Sequence, residues 1–134
     1  MVRLEIVTPE AKTFSDNVDS VVIPGVEGEL GVLPMHAPLM TLLEPGELRV
    51  MKNGEEILLA VGEGFVEITQ EKIAVLTDMA VKESDIDESA AAEAIRRAEE
   101  AMRGERMSDE EQATTKAALM RSLALIKVKR RRQV

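Results

Sequence analysis

The apolar residues of this chain change their period once. Through about residue 82 they recur at every second position; beyond Val81 they recur at helical spacing in an alanine-rich stretch. Period 2 lines one face of a strand and period 3.6 one face of a helix, so the chain must build a β-rich unit and then a separate helical one. In the first part Val2, Leu4 and Ile6 alternate with Arg3 and Glu5. Val21–Ile23, Leu30–Leu33, Leu48–Met51, Ile57–Val61, Phe65–Ile68 and Ile73–Leu76 are further short runs rich in β-branched residues. Thr8-Pro9, Pro24-Gly25, Glu44-Pro45-Gly46, Asn53-Gly54 and Gly62–Gly64 supply turn chemistry between them. Asn53-Gly54, between LRVMK and EEILLAV, predicts a two-residue hairpin, because a type I′ turn needs positive φ at both central positions. Strands at this spacing predict a sandwich or barrel over residues 1–82.

Residues 83–134 contain one glycine, Gly104, and no proline. Asp85 and Glu88 have capping-box spacing ahead of DESAAAEAIRRAEEAM, whose apolar stripe is Ala91, Ile95, Ala98 and Met102. Ser108 and Glu111 make a second box, opening a helix from Asp109 to about Arg130 with the stripe Ala113, Ala117, Met120 and Ala124, Leu123 and Val128 lying alongside. Two helices joined by so short a link form an antiparallel hairpin. Burial stabilises by about 25 cal/mol per Å² of apolar surface, so an alanine seam holds far less firmly than a leucine seam. The hairpin is therefore expected to be weakly held and separable.

Composition removes several classes of chemistry. The chain of 134 residues has no cysteine and one histidine, so thiolate catalysis, disulfides and paired-histidine metal sites are not expected. Its aromatic residues are Phe14 and Phe65, which leaves no stacking platform for bases. MVRLEIVTPE has no apolar run of the signal-peptide kind, and no stretch nears the roughly 20 apolar residues of a membrane span, so direct membrane insertion is not expected. Charge is uneven. Residues 1–82 carry six Lys/Arg against fourteen Asp/Glu, whereas 83–134 carry eleven of each. Arg121, Lys127, Lys129, Arg130, Arg131 and Arg132 form an end without acids, which predicts an anionic contact. The acidic body disfavours nucleic acid in that role.

The segment GELGVLPMHAP concentrates two glycines, two prolines and the sole histidine, His36. Thr41, Glu29 and Glu44 lie near His36 without the spacing of a triad or a carboxylate pair, so a contact histidine is favoured over a catalytic one. GVEGELG and Gly62–Gly64 lack the Gly-Lys-Ser/Thr ending of a phosphate loop. The glycines of GELGVLPMHAP are read as turn formers that present Glu29 and His36 outward.

The run EGELGVLPMHAPLMTLLEPGELRV, with an acidic aliphatic β-unit and the trailing segment DIDESAAAEAIRRAEEAM, resembles the epsilon subunit of bacterial F-type ATP synthases. GELG at 28–31 and HAPL at 36–39 are its most specific parts. The resemblance implies a flattened β-sandwich of about ten strands, binding the gamma subunit and the ring of c subunits, followed by a regulatory helical hairpin. It implies no catalytic residue, no cofactor and no metal, and a peripheral position on the cytoplasmic face of the bacterial cell membrane. Glu29, Leu30 and Gly31 match the region facing the ring, and His36 the region near gamma. The hairpin is implied either to fold against the sandwich or to extend into the catalytic head. When extended it would inhibit ATP hydrolysis, its basic residues meeting acidic segments of the beta subunit.

Some members of that family bind ATP through Ile/Leu-Asp-x-x-Arg-Ala. The matching positions are Ile86, Asp87, Glu88, Ser89, Ala90 and Ala91, with Ala90 in place of the arginine. Arg97 and Arg121 match further basic positions, and Leu125 stands where another arginine belongs. Each lost charge-assisted hydrogen bond removes about 1.5–3 kcal/mol, which predicts weak or absent ATP binding. A free ATP-sensing module and an anion binder working through KVKRRR are the alternatives from other classes.

Overall fold

The computed structural model describes residues 1–104 and 107–131. Ten strands precede two helices: β1 (Val2–Val7), β2 (Lys12–Val18), β3 (Ser20–Gly25), β4 (Gly28–Val32), β5 (Leu39–Leu43), β6 (Gly46–Lys52), β7 (Glu55–Val61), β8 (Gly64–Ile68), β9 (Lys72–Thr77), β10 (Ala80–Lys82), α1 (Glu88–Gly104) and α2 (Asp109–Arg131). The strands form one ladder in the order β10-β7-β6-β3-β5-β8-β9-β1-β2, with β4 on β3. β1 and β9 run parallel, and the other pairs are antiparallel. At the β3/β5 link only Gly25 and Leu43 are in register, and there the ladder folds over. Its two halves then share one aliphatic core, in which Leu4, Ile6, Ile23, Leu48, Leu59, Ile68 and Ile73 are fully buried. An ion pair between Lys52 and Asp16 ties β6 to β2, across the flattened sandwich that the resemblance implies.

The Asn53-Gly54 hairpin forms as expected, with φ of 52° and 79° and Lys52 facing Glu55. The Asp19 carboxylate also accepts the Asn53 amide proton at 2.9 Å, fixing the turn to the β2–β3 corner. Pro24-Gly25 is not a turn. Both residues lie in β3, and the reversal falls on Val26-Glu27, with Gly28 at φ 120°. Strands β2, β5 and β10 are missing from the runs read off the sequence. In β2 the inward residues Phe14 and Val18 are separated by polar ones, so the run KTFSDNV looks hydrophilic.

The cap of α1 also differs from expectation. Asp85 closes a single 3-10 turn at Glu83–Asp85, whereas the Asp87 carboxylate accepts the Ala90 amide proton at 3.0 Å and opens the helix. The Ser108 box is present: the Glu111 amide donates to Ser108 Oγ at 3.1 Å, and that hydroxyl donates to the Glu111 carboxylate at 3.1 Å. The Arg130–Glu88 ion pair, at 2.9 Å, joins the end of α2 to the start of α1 and shows that the helices are antiparallel.

α2 buries two faces rather than one stripe. Ala124 and Val128 pack on Leu58, Ala60 and Ile86, while Ser122 and Ile126, about 200° around the helix, are buried on the side away from that cluster. The helix packs on β6 and β7 and also on α1. Met120 and Leu123, assigned to the expected seam, are exposed. β7 answers in kind, with Leu59 and Val61 in the sandwich core and Leu58 and Ala60 under α2. This explains why ILLAV is apolar at every position, as in a strand covered on both faces.

Candidate functional site

Glu29, Leu30 and Gly31 lie within β4, whose pairing partner is β3. Alternation along the strand leaves Glu29 and Gly31 exposed and tucks Leu30 against the core. Gly31 pairs with Val22 and has open space where a Cβ would stand, so it makes no turn; of the two glycines in GELG only Gly28 takes positive φ. The following loop is shaped by Pro34 and Met35 instead. Proline presets the first central position, and Met35 takes φ 67° at the second, where glycine is usual in a type II turn. His36 is half-buried there, and its Nδ1 donates to the Ala37 carbonyl at 2.7 Å. That bond places a ring proton on Nδ1 and leaves the Nε2 side of the ring outside it. Beside β4, an open groove of about 540 Å³ runs between Gly25–Leu30 and Leu39–Leu42.

Next to this groove lies a surface that the sequence reading missed. Leu42, Phe65 and Leu76 face one another in register across β5, β8 and β9, and they are 60%, 41% and 39% exposed. Val7 continues the row on β1, and Met40 stands two residues from Leu42 on the same face. Directly opposed side chains on a sheet face form a contiguous strip. The three form an exposed row of large apolar side chains on an open sheet face, unlike apolar residues scattered singly. The signal was one of phase. Phe65 shares its face with Glu67 and Leu76 with Lys72, while Val66, Ile68, Ile73 and Val75 fill the core.

The basic end lies on the protein's own acids. Arg121 Nη1 is 3.1 Å from Asp78, Lys129 is 3.8 Å from Glu83, and Arg130 is 2.9 Å from Glu88. Arg131 pairs with Glu47, a β6 carboxylate only 6% exposed that also lies 3.5 Å from Arg49. Lys127 is exposed and lines a second groove, of about 420 Å³, together with Arg131 and Arg49. Arg132 lies outside the described residues.

The positions matched to an ATP motif are spoken for locally. Ile86 is buried beneath α2 and Asp87 caps α1. Arg97, 74% exposed, donates to Glu93 at 3.2 Å, and Arg121 is held by Asp78. Glu93 sits below the ordinary carboxylate range, chiefly through the hydrogen bond from Arg96. The four residues are thus anchored in different contacts. Among the described residues no cluster of His, Asp and Glu has the form of a metal site, and no helix is long and apolar enough to cross a membrane.

Comparison with known proteins places this architecture. Residues 1–83 match the family described as ATP synthase, Delta/Epsilon chain, beta-sandwich domain, and residues 84–130 match its long alpha-helix domain. The chain is 43% identical over 135 residues to the ATP synthase epsilon chain of Herpetosiphon aurantiacus, covering 98% of each. It is 43% identical over 131 residues to that of Dehalococcoides mccartyi, covering 98% of this chain and 94% of the relative. Among solved structures, a chain of the Euglena gracilis mitochondrial ATP synthase, in an assembly of OSCP, F1 and c-ring, superposes with a TM-score of 0.77 at 23% identity, over 92% of this chain and 78% of that one. A chain of the Tetrahymena thermophila mitochondrial central stalk and c-ring gives 0.62 at 12% identity, over 96% of both. With both family descriptions and near full-length identity in agreement, this chain belongs to the ATP synthase delta/epsilon chain family, among the bacterial epsilon chains.

Proposed function

We propose that the chain catalyses nothing itself and serves in the central stalk of an F-type ATP synthase as a coupling and regulatory subunit. In this reading residues 1–82 bind gamma and the c-ring, and residues 83–134 form the mobile hairpin. The observation that carries it is the in-register strip Leu42–Phe65–Leu76, open to solvent beside the Glu29 and His36 elements. Exposed apolar side chains on a rigid sheet suit a permanent protein partner better than a transient one. The gamma subunit is assigned to this strip and His36, and the c-ring to Glu29, Leu30 and Gly31. The complex would then sit on the cytoplasmic face of the cell membrane, with this subunit peripheral.

Inhibition of ATP hydrolysis is assigned to the hairpin in its extended form. Leaving the sandwich frees Arg121 from Asp78 and Arg131 from Glu47, while Arg130 is released only when α2 also parts from Glu88 of α1. The freed cations then suit acidic segments of the beta subunit. Removing residues 83–134 tests both assignments in one preparation. The shortened chain should still co-purify with gamma, and the assembled enzyme should hydrolyse ATP faster. Loss of co-purification overturns the assignment of partner binding to residues 1–82, and unchanged hydrolysis overturns the inhibitory role.

A further inference from the structure

Four side chains form an unbroken line of alternating charge from β4 to the last turn of α2. Glu29 Oε2 lies 3.3 Å from Arg49 Nη1, and that same nitrogen lies 3.5 Å from Glu47 Oε1. Arg131 pairs with the identical Glu47 oxygen. The groove containing them adds Lys127 and Glu44, one further charge of each sign. Exposure falls toward the middle of the line: the Glu29 side chain is 61% exposed, Arg49 25%, Glu47 6% and Arg131 44%.

The geometry points to a coupling between the β3–β4 hairpin and the docking of α2, in which a cation that engages Glu29 loosens the hairpin. The sign follows from who can move. With Glu29 in place, two guanidiniums and two carboxylates alternate and every neighbour attracts. Once the charge of Glu29 is neutralised or claimed elsewhere, Arg49 and Arg131 bear on one carboxylate and repel each other. Arg49 rises from a paired strand and is mostly covered, whereas Arg131 ends a helix and is nearly half exposed. Water therefore compensates Arg131 more readily, and the helix end is the member that leaves. The physiological meaning of this coupling rests on the reading of Glu29 as the ring-facing residue: the contact with the ring would itself bias the hairpin toward release.

The absence of native cysteine gives a clean reporter. Val128→Cys places one thiol in a fully buried site between α2 and the sheet, and its labelling rate reads the open fraction of the hairpin. Ala124→Cys, one turn earlier, serves if the first substitution disturbs packing. In the full-length chain at low salt, Glu29→Gln should raise the rate roughly two- to five-fold, and Glu29→Lys more, while Arg131→Gln alone should also raise it. In the Arg131→Gln background, Glu29→Gln should change the rate by less than about 1.5-fold, because coupled residues act non-additively. An unchanged rate for Glu29→Gln, or an equal increase with and without Arg131, overturns the coupling. That failure would leave the ring-facing role of Glu29 standing. Co-purification of the c-ring with a Glu29→Lys chain at wild-type yield would overturn that role and leave the coupling intact.

Discussion

Arg131 in the last turn of α2 and Glu47 on β6 form an ion pair in which the carboxylate is almost wholly buried and the guanidinium is not. The two ends are consequently unequal. Replacing Arg131 by alanine leaves Glu47 with Arg49, and should cost about 1 kcal/mol, as for a partly exposed pair. Replacing Glu47 leaves two guanidiniums together without their shared acceptor, and should cost about 2–3 kcal/mol. Urea unfolding of the two variants measures the difference. Equal losses would show that burial of Glu47 carries no energetic weight.

Asp16 provides the pH dependence. Its hydrogen bond from Lys52, with a second from the Asn17 amide, holds the carboxyl below its ordinary 3.8. The unfolded chain therefore binds this proton more readily than the folded one. The stabilisation from Asp16 is present above the ordinary value and is lost as the pH falls through the lower folded value. An Asp16→Asn chain should thus melt below the wild type at pH 7, with the gap closing under acid conditions. A gap that stays constant from pH 7 to below the ordinary value would remove Asp16 from the account.

Gly62 and Gly64, between β7 and β8 and at the start of β8, should respond differently to alanine. At Gly64 an added Cβ meets the Leu76 carbonyl and the backbone of Thr77, which cannot yield without breaking the β8–β9 ladder. At Gly62 it meets the Asp78 carboxylate, the group that holds Arg121 and can swing away. Gly64→Ala should cost about 3 kcal/mol or more of global stability, and Gly62→Ala about 1 kcal/mol. Only the second should act mainly by freeing the hairpin, read as faster exchange of α2 amides without a comparable change in the strands. The reverse order of stabilities would mean that Asp78 has no room to move.

The strip Leu42–Phe65–Leu76 separates folding from assembly. Phe65 is on an outward face, so Phe65→Asp should change the unfolding free energy by less than about 1 kcal/mol while abolishing co-purification with gamma. Retained co-purification would move the gamma contact elsewhere on the sandwich.

Local chemistry made part of this legible from sequence. Asn53-Gly54 announces its turn because almost no other pair tolerates two positive φ values. Ser108 and Glu111 announce their cap because the bonds are made within one turn. What stayed hidden depends on partners distant in the chain. Asp87, not Asp85, caps α1 because a 3-10 turn intervenes, and two aspartates two residues apart offer the same letters. The two-sided burial of α2 exists because β7 lies beneath it and α1 above, and a helix covered twice has no single stripe to find. The cationic end reads as a surface for an outside anion, and such a run carries no mark of the internal acids Asp78, Glu83, Glu88 and Glu47 that receive it. For Leu42, Phe65 and Leu76 the alternation was visible, but their alignment across strands required the register.

ATP affinity is the last property that the arrangement sets. Ala90 takes the place of the arginine in the ATP motif that the resemblance supplies, and Leu125, at the other position where that motif implies an arginine, packs against the cluster beneath α2. The remaining candidates, Arg97 and Arg121, are engaged by Glu93 and Asp78, so a nucleotide would have to displace those acids as well. Calorimetric titration of the full chain should accordingly show no saturation in the micromolar range. Ala90 is exposed at the start of α1, so Ala90→Arg can be accommodated without repacking. It should tighten binding roughly 10- to 100-fold, the equivalent of one restored charge-assisted hydrogen bond of about 1.5–3 kcal/mol. A micromolar dissociation constant for the unaltered chain would show that ATP is held by other groups. No gain from Ala90→Arg would show that the start of α1 does not face the nucleotide.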